Sequence, residues 1–326
     1  MGRKIKHNYL VIQEEHKKGF SLKFLSKKYN IPLQSIYSHF QNKKISYNKD
    51  IVPRRKGYTV NDNYFDIIDT EEKAYLLGWM FSDGNVYKDR FSLKLKKEDG
   101  YMIEKLYSLF SNNYKLSENT KKTSLSKIIS SKQITNKLKE LGCIENKTLN
   151  GFSIPKISEH LFRHYLRGYF DGDGTISIRS DRPNQRQISI CSIDKQFLEQ
   201  LKNKLLEMNI NTNISEEIRA GKSLKTPEGK ILTNCKNMYR LCILTHKDRL
   251  KFYEFLYKNC SIKLERKYVL YNEYYTNTVL ILENKDSKTV QRIGNETLIN
   301  YDLLNEKTFK GRLKNIIFPR VPDNLM

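Results

Sequence analysis

The sequence predicts an α+β protein: a pseudo-two-fold, duplicated αββαββα body with antiparallel saddle sheets, preceded by a small all-α module. Three observations predict this fold. Two similar nonapeptides, LLGWMFSDG at 76–84 and LRGYFDGDG at 166–174, each end a predicted helix. Their last acids, Asp83 and Asp173, lie 90 positions apart. The same order of strands and helices follows each nonapeptide. Such duplicated segments pack side by side, which places the first repeat at 69–150 and the second at 151–276.

The composition favours a polyanionic partner. The 326 residues contain 59 Lys and Arg against 36 Asp and Glu, a net charge of +23, and 14 of the basic residues fall within the first 60 positions. A generally basic protein from a Lys- and Asn-rich proteome is the alternative explanation. Five cysteines without a C-x-x-C pair fit reduced thiols. No apolar run approaches the roughly 20 residues that span a bilayer. We therefore expect a cytoplasmic protein of prokaryotic, phage or organellar origin, with no membrane partner.

Residues 1–42 are predicted to form the all-α module. The segment SLKFLSKKYNIPLQSIYSHF at 21–40 has the apolar spacing of two short helices, with Leu22, Phe24 and Leu25 on the first. Asn30 suits the tight turn between them. This segment resembles a helix-turn-helix DNA-binding motif, although an ordinary helical hairpin has the same spacing. The resemblance and the flanking charge point to the following DNA-contacting residues: Gln34, Ser35, Ser38, Lys43 and Lys44.

A basic linker is predicted at 43–68, because this stretch lacks sustained periodicity. We expect Arg54, Arg55 and Lys56 to lie along phosphates there. At the other end, residues 277–326 form an extension of unknown role. Within it, TVLILE at 278–283 is typical of a strand.

The predicted strands of the body have one apolar and one polar face. In FSLKLKK at 91–97 the apolar residues alternate with Lys94 and Lys96. The strand after the second nonapeptide shows similar alternation, with Ser177 and Arg179 on its polar side. A polar strand face is often only solvated, but two such faces beside a pair of acids favour a nucleic-acid surface.

The two motif helices carry small residues at i, i+4: Gly78 with Ser82, and Gly168 with Gly172. This spacing lets two helix backbones pack closely, so the acid at each helix end would emerge beside the other. A carboxylate at a helix C-terminus is unfavourable, and two adjacent carboxylates repel. A divalent cation removes this conflict, and oxygen ligands favour Mg²⁺, with Mn²⁺ or Ca²⁺ as substitutes. The alternative is that both acids only cap Asp-Gly turns.

The two nonapeptides resemble the paired LAGLIDADG motifs of a single-chain homing endonuclease, and the resemblance covers about residues 70–275. It implies that the motif helices form the interface between repeats and that two four-stranded sheets lie in successive major grooves of DNA. It also implies that Asp83 and Asp173 bind the catalytic metal, together with the glycines that follow them, Gly84 and Gly174. Phe81 stands where the second motif has the earlier acid, Asp171.

The same resemblance implies a basic catalytic residue near the end of the second strand of each repeat. Lys97 matches by position in the first repeat, with Lys96 as the alternative. In the second repeat Lys195 is the nearest lysine, and Arg179 is the alternative.

The function implied is a site-specific double-strand DNA endonuclease that acts as a monomer on a long, asymmetric target. The alternatives are a non-cleaving DNA-binding regulator and a maturase that binds intron RNA. The chain opens with Met-Gly and ends PDNLM, without the splice-junction residues of an intein. We therefore expect a free-standing or intron-encoded enzyme.

Overall fold

The structure is a computed structural model. It describes residues 9–17, 22–45, 59–112, 123–179, 182–225, 229, 231–233, 235–285, 289–293 and 296–304. The chain divides into an amino-terminal unit, Met1–Thr59 with Asn112–Tyr114, and a main unit, Val60–Ser111 with Lys115–Met326. The division falls within the predicted linker, whose Arg54, Arg55 and Lys56 lie outside the described residues. No helix among these residues has both the length and the apolar character required to cross a membrane.

The amino-terminal unit contains three helices, α1 (Tyr9–Lys17), α2 (Leu22–Lys28) and α3 (Leu33–Asn42). The turn between α2 and α3 is tight: Asn30 has a φ of 47°, in the left-handed region. Ile12, Leu25 and Ile36 lie in the small core. Phe24, which the spacing assigns to the apolar side of the first helix, is instead 49% exposed.

The first segment of the main unit runs from the motif helix through a mixed set of strands and helices. Its elements are β1 (Thr59–Val60, at the division between units), α4 (Glu71–Phe81), β2 (Gly84–Tyr87), β3 (Arg90–Lys96), a 3₁₀ turn (Lys97–Asp99), α5 (Gly100–Ser108), β4 (Ser111–Asn112), β5 (Ser124–Ser130), α6 (Lys132–Glu140) and α7 (Lys147–Asn150).

The second segment has a similar order, with an added hairpin. Its elements are α8 (Glu159–Asp173), β6 (Gly174–Arg179), β7 (Arg182–Ser192), α9 (Lys195–Glu207), β8 (Thr212–Ile218), β9 (Ser223–Lys225), β10 (Ile231–Thr233), β11 (Met238–Ile243) and α10 (His246–Tyr257). The chain continues through α11 (Glu265–Lys285), β12 (Val290–Ile293) and β13 (Glu296–Ile299). Helices with antiparallel sheets confirm the predicted α+β class.

Each segment has its own antiparallel sheet. Among the described residues the first sheet has three strands in the order β2-β3-β5, and the second has four in the order β6-β7-β11-β8. Residues 113–122, between β4 and β5, lie outside the described residues. The alternation in β3 holds: Leu93 and Leu95 are buried, whereas Lys94 and Lys96 are exposed. The sheet therefore packs one face on helices and presents a basic face.

The end of the second segment differs from the sequence prediction. Residues 278–283 are helical and belong to α11, not to a strand. The boundary expected at 276/277 consequently falls inside one continuous helix. The apolar residues at 278–283 are used for helix packing, since Val279 and Leu282 pack with Leu250 of α10 and Val290 of β12.

A buried histidine joins α10 to α11. The Nδ1 atom of His246 lies 2.6 Å from Tyr274 Oη, and burial, with a smaller contribution from Arg249, lowers the pKa of His246 from 6.5 to about 3. A histidine that folds in its neutral form favours folding above pH 6.5 and loses this contribution as the pH falls toward 3. We expect the free energy of unfolding to fall by up to about 1.4 kcal/mol per pH unit in this window because of this residue.

Chemical denaturation of the wild type and of His246→Asn at a series of pH values tests this expectation. The variant cannot titrate in the window, so its stability profile should be flatter between pH 6.5 and 4. Parallel profiles would show that His246 does not fold in its neutral form.

Candidate active site

Helices α4 and α8 touch through their backbones. A Cβ atom added to Gly78 would lie 2.1 Å from the Tyr165 carbonyl oxygen, and one added to Gly168 would lie 2.0 Å from the Tyr75 carbonyl oxygen. Neither position has room for any side chain. The helix interface predicted from the small-residue spacing is therefore formed by direct contact between the two motif helices.

The same contact continues to the ends of the two helices. A Cβ added to Gly172 would lie 2.1 Å from Ser82 Oγ and 3.1 Å from Asp83 Oδ2. The Asp83 carboxylate thus lies against the residue that precedes Asp173. Asp83 is half-buried and Asp173 is exposed. The fold brings together two acids that are distant in the sequence.

The proximity of the two acids affects their protonation. Desolvation raises the pKa of Asp83. For Asp173 desolvation is the largest cause and the Asp83 charge the second, and together they raise its pKa to about 6. Asp173 is exposed at the surface, so hydration limits the desolvation, whereas repulsion between the carboxylates remains.

Two lysines donate hydrogen bonds to main-chain carbonyls next to the acids. Lys267 at the start of α11 donates hydrogen bonds to the carbonyl oxygens of Phe170 (2.8 Å), Gly172 (3.0 Å) and Gly174 (2.5 Å). Lys147 at the start of α7 donates to the carbonyl oxygen of Gly84 at 2.5 Å. Burial lowers the pKa of Lys267 to about 8. The positive charges of both lysines oppose the elevation of the pKa of both acids.

Gly84 and Gly174 were expected to bind metal beside the acids, and this assignment stays a prediction. In the structure their carbonyl oxygens accept hydrogen bonds from the ammonium groups of Lys147 and Lys267. Carbonyls at a helix end carry partial negative charge and attract cations.

The predicted catalytic lysines, Lys97 and Lys195, do not line the groove that contains Asp83. Lys195 is the first residue of α9, where its ammonium lies 3.5 Å from Glu199, and it lines a cavity that does not include the acids. Its ammonium also lies 5.9 Å from the centroid of the Tyr239 ring on β11. Lys97 starts the 3₁₀ turn and is exposed. Lys96, the alternative to Lys97, lines a groove with Asp83.

This groove has a volume of about 280 Å³ and is also lined by Lys94, Asp99 and Arg266. The Arg266 guanidinium donates to both oxygens of Asp99, at 2.8 and 3.1 Å from Nε and 2.7 Å from Nη2. This bidentate pair joins the N-terminus of α11 to the end of the 3₁₀ turn. It fixes the groove wall beside Asp83.

Asp171, the earlier acid of the second motif, is a buried structural group. Its carboxylate accepts hydrogen bonds from Tyr75 Oη (2.6 Å), Tyr257 Oη (2.6 Å) and the Leu264 backbone N–H (2.8 Å). Desolvation raises its pKa against these bonds. The corresponding Phe81 is also buried, so the two motifs differ at a buried packing position and both keep their last acid.

The other predicted DNA contacts lie at several places. In the main unit Lys94 and Lys96 are exposed opposite Ser126 and Ser124, and Ser177 is half-buried on β6. The backbone of Arg179 ends β6, and its side chain lies outside the described residues. In the amino-terminal unit the five predicted residues lie on or just after α3 and are exposed or half-buried: Gln34, Ser35, Ser38, Lys43 and Lys44.

Sequence reasoning missed Lys147, Lys267 and Arg266. One signal was available: a lysine follows the last helix of each repeat, in CIENK at 143–147 and in CSIKLERK at 260–267. Both lysines lie beyond the repeated αββαββα pattern, which ends with that helix. Arg266 has no counterpart beside Lys147, where the preceding residue is Asn146.

Residues 162–256 match the model of the LAGLIDADG-like domain. The chain is 30% identical over 158 residues to a probable translation initiation factor IF-2 of Methanocaldococcus jannaschii, which covers 46% of this chain. The chain spans only 13% of the length of that relative, so nothing about translation is carried over.

Similar solved structures have TM-scores below 0.5. Mesophilic variants of the homing endonuclease I-DmoI have 18% identity and a TM-score of 0.38, over 58% of this chain and 97% of theirs. A point mutant of I-SmaMI has 18% identity and a TM-score of 0.38, over 66% and 93%. Full-length DUF199/WhiA from Thermatoga maritima has 17% identity and a TM-score of 0.34, over 70% and 72%. The family match rests on the sequence of the second motif helix, its sheet and α10: the chain contains a LAGLIDADG-like domain.

Proposed function

We propose that this chain is a site-specific DNA endonuclease that hydrolyses phosphodiester bonds with divalent metal bound by Asp83 and Asp173. One observation carries the proposal. Two carboxylates from separate segments meet where two glycine-packed helices end, beside a sheet face with exposed lysines. A structural role for both acids would leave this concentration of negative charge without a purpose.

The donor set fits a hard cation. Mg²⁺ is usually bound through one or two carboxylates, with water and substrate phosphate completing the shell. Among the residues that the structure describes, no group of three or more His, Cys, Asp and Glu could hold a metal. The two acids therefore suit Mg²⁺ whose remaining ligands come from DNA and water, and Mn²⁺ or Ca²⁺ could substitute in binding.

A bound divalent ion supplies Lewis-acid stabilisation of the phosphate and a water of lowered pKa. The chain supplies the geometry. Contact between α4 and α8 fixes the separation of the acids, and the Asp99–Arg266 pair holds the groove wall beside Asp83. Lys96 on that wall offers a charge to the DNA backbone.

The two sheets suit a long, asymmetric duplex target. The first presents Lys94 and Lys96. On the second, Arg240 is paired with Glu217 at 2.6 Å, and this pairing offsets its charge. The two halves of a target would therefore meet different arrangements of charged and polar side chains. Because both acids belong to one chain, a monomer is sufficient. The free cysteines support a reducing compartment such as the cytoplasm.

Cleavage of a randomised duplex library in Mg²⁺ and in EDTA tests the proposal. We expect cutting at one class of site in Mg²⁺ and none in EDTA. Selective binding without cutting would favour the DNA-binding regulator instead. Preference for a structured transcript over duplex DNA in competition would favour the intron RNA maturase.

We also propose that the amino-terminal unit binds DNA through α3. Lys43 and Lys44 are exposed, and Lys44 has a φ of 52°, which Asn tolerates. The double variant Lys43→Gln, Lys44→Asn should weaken duplex binding. The slope of log K against log salt should fall by about 0.9 for each phosphate that the variant no longer binds. Fluorescence anisotropy from about 50 to 300 mM salt measures it, with Lys251→Gln as the control. An unchanged slope would remove α3 from the DNA-binding surface.

A further inference from the structure

Lys147 and Lys267 occupy equivalent places in the two segments. Lys147 follows α6 and Lys267 follows α10, the helices that end the repeated αββαββα pattern, and each donates a hydrogen bond to the carbonyl oxygen one residue after a motif acid, at Gly84 and at Gly174. The lysines reach these carbonyls across 63 and 93 residues of chain. A single such contact is common in folded proteins. The same contact in both segments indicates a common role.

Both lysines are removed from water. Lys267 is 5% exposed and Lys147 is 8% exposed. Burying an ammonium group is costly unless hydrogen bonds and negative charge compensate it. For Lys267 three carbonyl oxygens at the end of α8 accept hydrogen bonds, and they match the three donors of an ammonium group. The C-terminus of α8 and the nearby carboxylates add negative potential, which further compensates the cost of burying the ammonium group.

The acids need this positive charge. Asp83 and Asp173 lie together at the C-terminal ends of two helices, each with a partial negative charge of its own. With no metal bound, carboxylate repulsion would force the helix ends apart or protonate one acid. Both lysines donate to main-chain carbonyls beside the acids, and Asp173 itself is exposed.

We propose that Lys147 and Lys267 are positioning residues that act as internal counterions of the acid pair. They hold the chain on the far side of each acid and offset the repulsion between the carboxylates before metal and DNA bind. This inference rests on the proposed function only in one respect, that Asp83 and Asp173 bind metal. The placement of the lysines stands on their hydrogen bonds to the carbonyls beside the acids, and their coupling to the acids is measurable without metal or DNA.

A double-mutant cycle in EDTA tests the proposal. The melting temperatures of wild type, Lys147→Met, Asp83→Asn and the double variant are compared. If Lys147 only caps the chain at Gly84, Lys147→Met lowers the melting temperature by the same amount in the wild type and in the Asp83→Asn variant. If it is a counterion, the loss in the Asp83→Asn background is at most half of that in the wild type. Equal losses would overturn the proposal.

Lys251 provides the matched control. Its ammonium also donates to a main-chain carbonyl, that of Asn209 at 3.1 Å, but it lies on α10 with its ammonium 5.3 Å from the centroid of the Tyr301 ring. Lys251→Met should lower the melting temperature by the same amount with and without Asp83→Asn. A second cycle pairs Lys267→Met with Asp173→Asn and should show the same sign. Lys267 makes three contacts, so if Lys267→Met does not fold, the cycle with Lys147 decides. Since no cycle uses DNA, a protein that fails to cleave still returns a result.

Discussion

Replacing Asp83 or Asp173 with Asn is expected to abolish cleavage of both DNA strands while specific duplex binding stays within about tenfold, or about 1.4 kcal/mol. The amide has nearly the same shape as the carboxylate but lacks its charge, so the site loses half of its anionic ligands. Loss of several kcal/mol of metal-supplied stabilisation corresponds to about three orders of magnitude in rate. Single-turnover cleavage with excess enzyme, together with anisotropy in Ca²⁺, separates the rate from the affinity.

Asp66→Asn is the matched control. Asp66 is an exposed aspartate before α4, so this substitution removes one negative charge from the same unit without touching the helix ends. Its cleavage rate should stay within about twofold of the wild type. Full activity of either motif variant would contradict the assignment of the acids. A loss of binding equal to the loss of cleavage would show that the acids support the fold rather than the reaction.

Substituting Gly168 with Ala is expected to produce a large loss of stability. The new Cβ would lie 2.0 Å from the Tyr75 carbonyl oxygen, and a backbone oxygen in a helix cannot rotate away. The helices must separate, at a cost of about 3 kcal/mol or more. We expect the melting temperature to fall by about 6 °C or more and the cleavage rate to fall with it, because the acids move apart.

The effect should depend on the contact and not on helix propensity. Alanine is a better helix former than glycine by about 1 kcal/mol, so propensity alone predicts a gain. His160→Ala, at an exposed position of the same helix, should change stability by no more than about 0.5 kcal/mol. A stable Gly168→Ala protein with normal cleavage would show that the two helices do not touch there in solution.

The sequence was sufficient to predict the motif helices, their contact and the meeting of the acids. A doubled nonapeptide with small residues at i, i+4 restricts how the helices can pack, and period-two alternation placed Lys94 and Lys96 on an exposed strand face. Such local patterns determine which residues share one face of a helix or strand. The α+β class followed from them.

The rest depended on contacts that local patterns do not encode. The hydrogen bonds of Lys267 join residues 93 to 97 positions apart, and nothing in the residues around 267 distinguishes a buried ammonium from a surface one. Residues 278–283 were predicted as a strand because a short apolar run has no distinguishing period. The segment forms a helix because its apolar residues pack against α10 and β12. Asp171 and Asp173 are the same residue type two positions apart, but Asp171 is buried and Asp173 is exposed.

The course of α11 limits how this protein can be shortened. Its first turn delivers Arg266 to the groove and Lys267 to the carbonyls behind Asp173, while its later turns pack with β12. A truncated version that stops near residue 276 would cut this helix between its two tasks and leave apolar residues of α10 exposed. Anyone seeking a minimal catalytic fragment should therefore keep the chain through β13, and a tag or fusion partner belongs beyond that strand.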